Sequence, residues 1–162
     1  MSHAPRPSPA TRRFVLVPDR PLRFLADDQA PTDGWHGLET HSDGCHFRWI
    51  GPSTRASRVL PVHLDRRVHL RIKVLHEIRA GLLQGSTLSV NGHRIDPTRV
   101  VPCPGGFAWQ GHVDPQDWSQ AETDGMTVTI EVPQTFSPEE LGLGTDSRRM
   151  ALGVGWMQVD PD

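Results

Sequence analysis

The chain has 162 residues, enough for one domain to bury a core without disulfide or metal staples and too few for two ordinary domains. Its formal charge of -2, with the signs scattered, leaves no basic face for capturing nucleic acid, and no run nears the roughly 20 apolar residues of a membrane-crossing helix. Fifteen glycines and fifteen prolines suit a chain that turns often, not a helical one.

The opening MSHAPRPSPATR, residues 1–12, is polar and proline-rich and lacks the apolar stretch of a secretory leader. It reads as a disordered tail on a cytoplasmic protein without membrane insertion, with a single domain over 13–162. RFVLVP (13–18) and LRFL (22–25) read as short edge segments split by a Pro-Asp-Arg-Pro turn, and ADDQAPTDG as a loop.

GWHGLETHSDGCHFRWIGP (34–52) reads as a hairpin turning at Asp43-Gly44. Ser42 then faces Cys45, Thr40 opposes Phe47, Glu39 opposes Arg48 and Leu38 opposes Trp49. That register puts Leu38, Thr40, Cys45, Phe47 and Trp49 on the mainly apolar face, and Trp35, Glu39, His41, His46 and Arg48 on the other. Two readings follow. Glu39 and Arg48 form a cross-strand ion pair with Trp35 laid over it, contributing roughly 0.2–1 kcal/mol. Alternatively, the indole and the charged pair form a sugar site, since a pyranose stacks its C–H face on an aromatic ring and takes bidentate hydrogen bonds from Arg and Glu.

VHLRIKVL (68–75) alternates, with Val68, Leu70, Ile72 and Val74 facing in and His69, Arg71 and Lys73 facing out. TLSVNGHRI (87–95) carries Asn91-Gly92, a pair that accepts the positive φ of a tight hairpin turn. GGFAWQGHV (105–113) is a further strand with Trp109 in the core, and Trp118 in DPQDWSQAETDG is a loop anchor or a partner contact. MTVTIEV (126–132) buries Met126, Val128, Ile130 and Val132. SPEELGLG (137–144) makes about one helical turn, capped by Ser137 and stopped by Gly142 and Gly144. MALGVGWMQV (150–159) closes the fold, with Trp156 in step with the core residues Met150, Leu152 and Val154, and with Gly153 and Gly155 leaving the other face smooth. Eight to ten short strands and at most one short helical turn predict an all-β fold, an antiparallel β-sandwich of jelly-roll-like form.

Catalytic and cofactor signals are absent from this pattern. The nine histidines show no close His-x-His pair, and His76-Glu77 has no second histidine four residues on, so neither a cupin-like metal site nor a zinc-protease helix is expected. There is no nucleophile elbow and no phosphate-cradling loop, so no cofactor is expected either. Cys45 reads as a core residue by its parity with Phe47 and Trp49, and Cys103 as a free thiol. A glycosidase would need paired carboxylates, for which Glu39 and Asp146 are the pair to test.

Gly34, Trp35, Glu39, Phe47, Arg48, Trp49 and Gly51 form a Gly-Trp-x-x-x-Glu…Phe-Arg-Trp-x-Gly pattern. Pro138, Leu141, Gly142, Asp146, Ser147, Arg148, Leu152 and Gly153 form a second pattern near the end. Over roughly residues 20–159 these motifs resemble a carbohydrate-binding-like β-sandwich domain associated with bacterial glycosyltransferases and surface-polysaccharide biosynthesis proteins. The resemblance implies a non-catalytic sugar-recognition or accessory module in glycan assembly, with a glycan or a glycosyltransferase as partner. First and last strands of a sandwich commonly share a sheet, which would bring Asp146 and Arg148 toward Glu39 and Arg48. The expected carbohydrate contacts are therefore Trp35, Glu39, Arg48, Asp146 and Arg148; the structural alternative has Asp146 and Ser147 capping the turn into the last strand and Arg148 pairing with a carboxylate there. The competing readings are an assembly module, joining a partner or a second copy of the chain, and a small glycoside hydrolase.

Overall fold

The computed structural model describes residues 15–16, 20–27, 33–116, 118 and 125–162. The tail expected over 1–12, most of the 13–18 segment and much of the loop around Trp118 lie outside them. In chain order the strands are β1 (Val15–Leu16), β2 (Leu22–Phe24), β3 (Glu39–Thr40), β4 (His46–Trp49), β5 (Arg55–Leu60), β6 (Val62–His63), β7 (Val68–Glu77), β8 (Thr87–Val90), β9 (His93–Arg94), β10 (Arg99–Cys103), β11 (Gly106–Val113), β12 (Met126–Glu131) and β13 (Leu152–Pro161). No helix occurs among the described residues.

The larger sheet runs β10-β11-β7-β13-β4-β3, with β2 also paired to β13, and the smaller runs β5-β12-β8-β9. Both are antiparallel, and β1 and β6 add a short parallel pair. The sheets pack face to face as an all-β sandwich. Its core follows from period-two alternation: Val68, Leu70, Ile72 and Val74 of β7 are fully buried, as are Met126, Val128 and Ile130 of β12. Trp109 joins them at 1% exposure, as its phase predicts.

Strands β5 and β10 lack a clean apolar alternation, each for a physical reason. In β5 the inward positions are Ala56, Arg58 and Leu60, and the inward arginine breaks the apolar alternation; its guanidinium donates to the Leu25 carbonyl at 2.7 Å. In β10, Pro102 argues against a strand, but β10 lies at the sheet edge, where a missing N–H costs no ladder bond.

Turn chemistry matches its residues. Asn91 and Gly92 take φ of 50° and 80° between β8 and β9. The Asn91 side chain also ties this turn to β12, donating to Gly125 O (2.9 Å) and accepting from Thr127 N (2.7 Å). Ser137 and Glu140 form a reciprocal capping box: Ser137 Oγ accepts from Glu140 N (3.1 Å) and Glu140 Oε1 accepts from Ser137 N (2.8 Å). Gly142 at φ +71 ends this single turn, with Leu143 N donating to Pro138 O and Gly142 N to Glu139 O, as in a Schellman motif.

β13 departs from simple alternation. Its pairing with β7 shifts between Gly153 and Val154 and again between Val154 and Met157, so Leu152 and Val154 face the core and then Met157 and Val159 do. Trp156 is thereby turned out of the core position its spacing suggests. It is half-buried, with the Arg23 guanidinium 4.1 Å from its ring centre.

Candidate functional site

The β3–β4 hairpin does not keep the two-residue register. His41 N donates to Cys45 O (2.8 Å), Gly44 N donates to His41 O (2.9 Å), and Gly44 sits at φ +88, which makes a three-residue loop closed by a left-handed glycine. Glu39 consequently opposes Phe47 and Thr40 opposes His46. Glu39 does not oppose Arg48. An odd loop slips the register by one residue, and a one-residue slip sends every side chain of one strand to the other face.

The slip divides the expected contact residues. Trp35 and Arg48 point toward the seam between the sheets, not onto a shared outer surface. Trp35 packs against the core, and its Nε1 donates to Ser57 O at 2.8 Å. Arg48 donates to Ala26 O and His36 O, each at 3.3 Å, and lines a narrow crevice with Trp35, Arg58, Val154 and Met157. Cys45, expected in the core, is exposed, and Leu38 is 40% exposed.

Glu39, Asp146 and Arg148 do come together. Arg148 Nη1 and Nη2 donate to Glu39 Oε2 (3.3 Å) and Oε1 (3.4 Å). Arg148 Nε and Nη2 donate to Asp146, the closest contact being 2.8 Å to Oδ2. Asp146 Oδ1 also accepts from the Arg148 backbone N at 3.0 Å, closing the turn that leads into β13. All three side chains stay between 34% and 41% exposed. The Arg148 guanidinium, then its backbone N–H, holds the Asp146 carboxyl below the usual carboxylate range.

An aromatic platform lies on the same face as Glu39. Gly153 pairs with Trp49 on one side and His76 on the other, and its neighbours Leu152 and Val154 face the core, so Gly153 faces outward. A Cβ on Gly153 would meet Phe47 Cδ2 at 3.1 Å and His76 Cδ2 at 3.3 Å. The bare backbone leaves room for Phe47 and His76, and the Trp49 and His76 rings stack near-parallel, 23° apart, with centroids 5.7 Å apart. Phe47, at 6% exposure, meets both edge-on, and His41 lies 4.9 Å from His76. Burial first, and then the neighbouring His41, make His76 harder to protonate than usual, with Asp43 and Glu39 opposing.

Trp49 is thus the site residue that the two-residue register concealed, and His76 of β7 is brought beside it by the sheet. The signal was present in Ser42-Asp43-Gly44, which suits a type I turn followed by a glycine bulge as well as a two-residue turn. The motif glycines are structural. Gly34 (φ +84) lies against the Arg55 carbonyl and Ala56 Cα, and Gly51 (φ +151) against the Arg149 carbonyl and His36 Nε2. Among the described residues no three His, Cys, Asp or Glu side chains gather as a metal would require.

No protein-family model matches the chain, and no curated protein sequence matches it. A solved structure similar in fold is that of the Podospora anserina GH26-CBM35 beta-(1,4)-mannanase, with a TM-score of 0.46 and 12% identity. The match covers 90% of this chain and 28% of that one, so the chain spans little more than a quarter of that structure's length. The functional reading rests on this chain's own residues.

Proposed function

We propose that this protein is a non-catalytic carbohydrate-recognition or accessory module whose contact surface is the Trp49–His76 platform, edged by Glu39, Arg148 and Asp146. The observation that carries the reading is the stacked Trp49–His76 ring pair on the outer face, with His76 against Gly153, beside half-exposed charged groups. A pyranose fits such a surface because its axial C–H face prefers an aromatic ring while its hydroxyls need polar partners at the rim. A hydrolytic role has less support. Glu39 and Asp146 share one arginine, which lowers Asp146, whereas a glycosidase's general acid needs a raised carboxyl.

The finer reading, an accessory to cytoplasmic bacterial polysaccharide assembly beside a glycosyltransferase, draws its support from the two end motifs alone. Co-purification with a transferase is its test. An assembly module is favoured by a different feature, an apolar cleft of about 190 Å³ between Leu25, Ala26, Gly44, Cys45 and Trp156, with Leu25 44% exposed. Sedimentation of the purified chain as a monomer counts against self-association there.

The deciding measurement for sugar recognition is calorimetric titration with a glycan panel, using the wild type and Trp49→Ala. The expected result is binding that weakens at least tenfold in the variant, about 1.4 kcal/mol, with the far-ultraviolet spectrum unchanged. Equal affinity in the two proteins removes the platform from the reading.

A further inference from the structure

Resting on that reading, we infer that the site takes uncharged, hydroxyl-rich glycans through a vicinal diol donated to Glu39, and rejects glycans bearing carboxylate or sulfate. The reason lies in which hydrogen-bonding groups the protein has already engaged. A guanidinium carries five N–H groups. In Arg148 the Nε–H goes to Asp146, both Nη2 hydrogens go to Asp146 and Glu39, and one Nη1 hydrogen goes to Glu39. A single N–H is left. An anionic ligand seeking the two-pronged arginine contact that makes such pairs strong would have to displace a protein carboxylate.

The other cations nearby are committed as well. Lys73 donates to Pro104 O and Cys103 Sγ and is 7% exposed. Arg149 is tied to Glu140 (3.2 Å) and to Thr135. Arg48 faces the seam, and the His41 ring, charged only when protonated, has its Nδ1 3.0 Å from Asp43 Oδ1.

The acceptors are differently placed. Asp146 is largely saturated: Oδ1 accepts from the Arg148 backbone and from Nε, and Oδ2 accepts from Nε and Nη2. Each Glu39 oxygen accepts one long bond, at 3.3 and 3.4 Å, and an ionised carboxylate oxygen has two lone pairs. Glu39 therefore offers two adjacent acceptor sites, a match for two neighbouring hydroxyls. It shares its face with Trp49, diagonally across the β3–β4 pair, within reach of one sugar ring. With Asp43, Glu39 and Asp146 on this surface, a further negative charge is repelled.

The test uses a matched pair of polymers, a polyuronate and the same polyuronate after reduction of its carboxyl groups to primary alcohols. Each is titrated against wild type and Glu39→Gln at low and high salt. The reduced polymer is expected to bind wild type at least tenfold more tightly, with the gap narrowing as salt screens the repulsion. Glu39→Gln frees Arg148 donors and removes a charge, so it is expected to weaken the neutral polymer and strengthen the polyuronate. Equal or tighter binding of the polyuronate by wild type overturns the inference and leaves sugar recognition standing. Absence of binding to either polymer and to a neutral glycan panel overturns sugar recognition itself.

Discussion

Trp35 and Trp49 lie in one hairpin and take opposite duties. Trp35 has its indole N–H satisfied by Ser57 O and its ring against the core, so Trp35→Ala is expected to cost about 2–4 kcal/mol, read as a lowered urea midpoint. A near-neutral result would mean the ring contributes little to packing. Cys45 runs the other way: it is exposed on the turn, so Cys45→Ala is expected to shift stability by less than about 0.5 kcal/mol. Its thiol is raised above the usual range, chiefly by its hydrogen bond to Asp43. Gly34→Ala forces a Cβ into the Arg55 carbonyl at a left-handed φ, a strain expected to cost about 1–3 kcal/mol or more. The identity of these residues as special was legible in their clustering. Their directions were not, because direction depends on a register set by one turn.

Strands β7 and β12 were readable because they carry four and three inward apolar residues in strict alternation, a pattern that a one-residue error would visibly ruin. The β3–β4 hairpin lacks that protection. Its side chains sort more cleanly by the two-residue turn than by the observed one, which sets Glu39 beside Phe47, so the pattern favours the wrong register. Gly44 decides between them by adopting φ +88. The short turn after β12 was easier, since Ser137 and Glu140 sit three apart and Gly142 follows. Ser137→Ala is expected to cost about 1 kcal/mol by thermal or urea melting, because it removes the buried Ser137 hydroxyl that accepts from the Glu140 N–H. No loss would mean that Glu140 finds another partner.

The sandwich as an assembly also sets a pH dependence. His69 and His76 are both harder to protonate when folded, chiefly through burial, and each has a histidine neighbour, His112 and His41 respectively. Below 6.5, their ordinary value, the unfolded chain takes up protons that the native imidazoles refuse. Stability is therefore complete above that pH and declines as pH falls toward the depressed native values. The carboxyls of Asp43, Asp65 and Asp146, lowered from 3.8, add a second decline in stronger acid. Urea midpoints between pH 8 and 5 are expected to fall, and His76→Gln is expected to flatten that slope, leaving the share due to His69. An unchanged slope would show that His76 titrates alike in both states.

An all-β architecture, the buried faces of β7, β12 and β11, and the Asn91-Gly92 turn could be read from residues in order, because each depends on neighbours no more than a few positions away. The joining of Glu39 to Arg148, the stacking of Trp49 on His76, and the turning of Trp35 and Arg48 into the seam required the folded sheet. Those contacts span β3, β4, β7 and β13. Their geometry comes from bulges and strand order, and neither leaves a periodic trace in the chain.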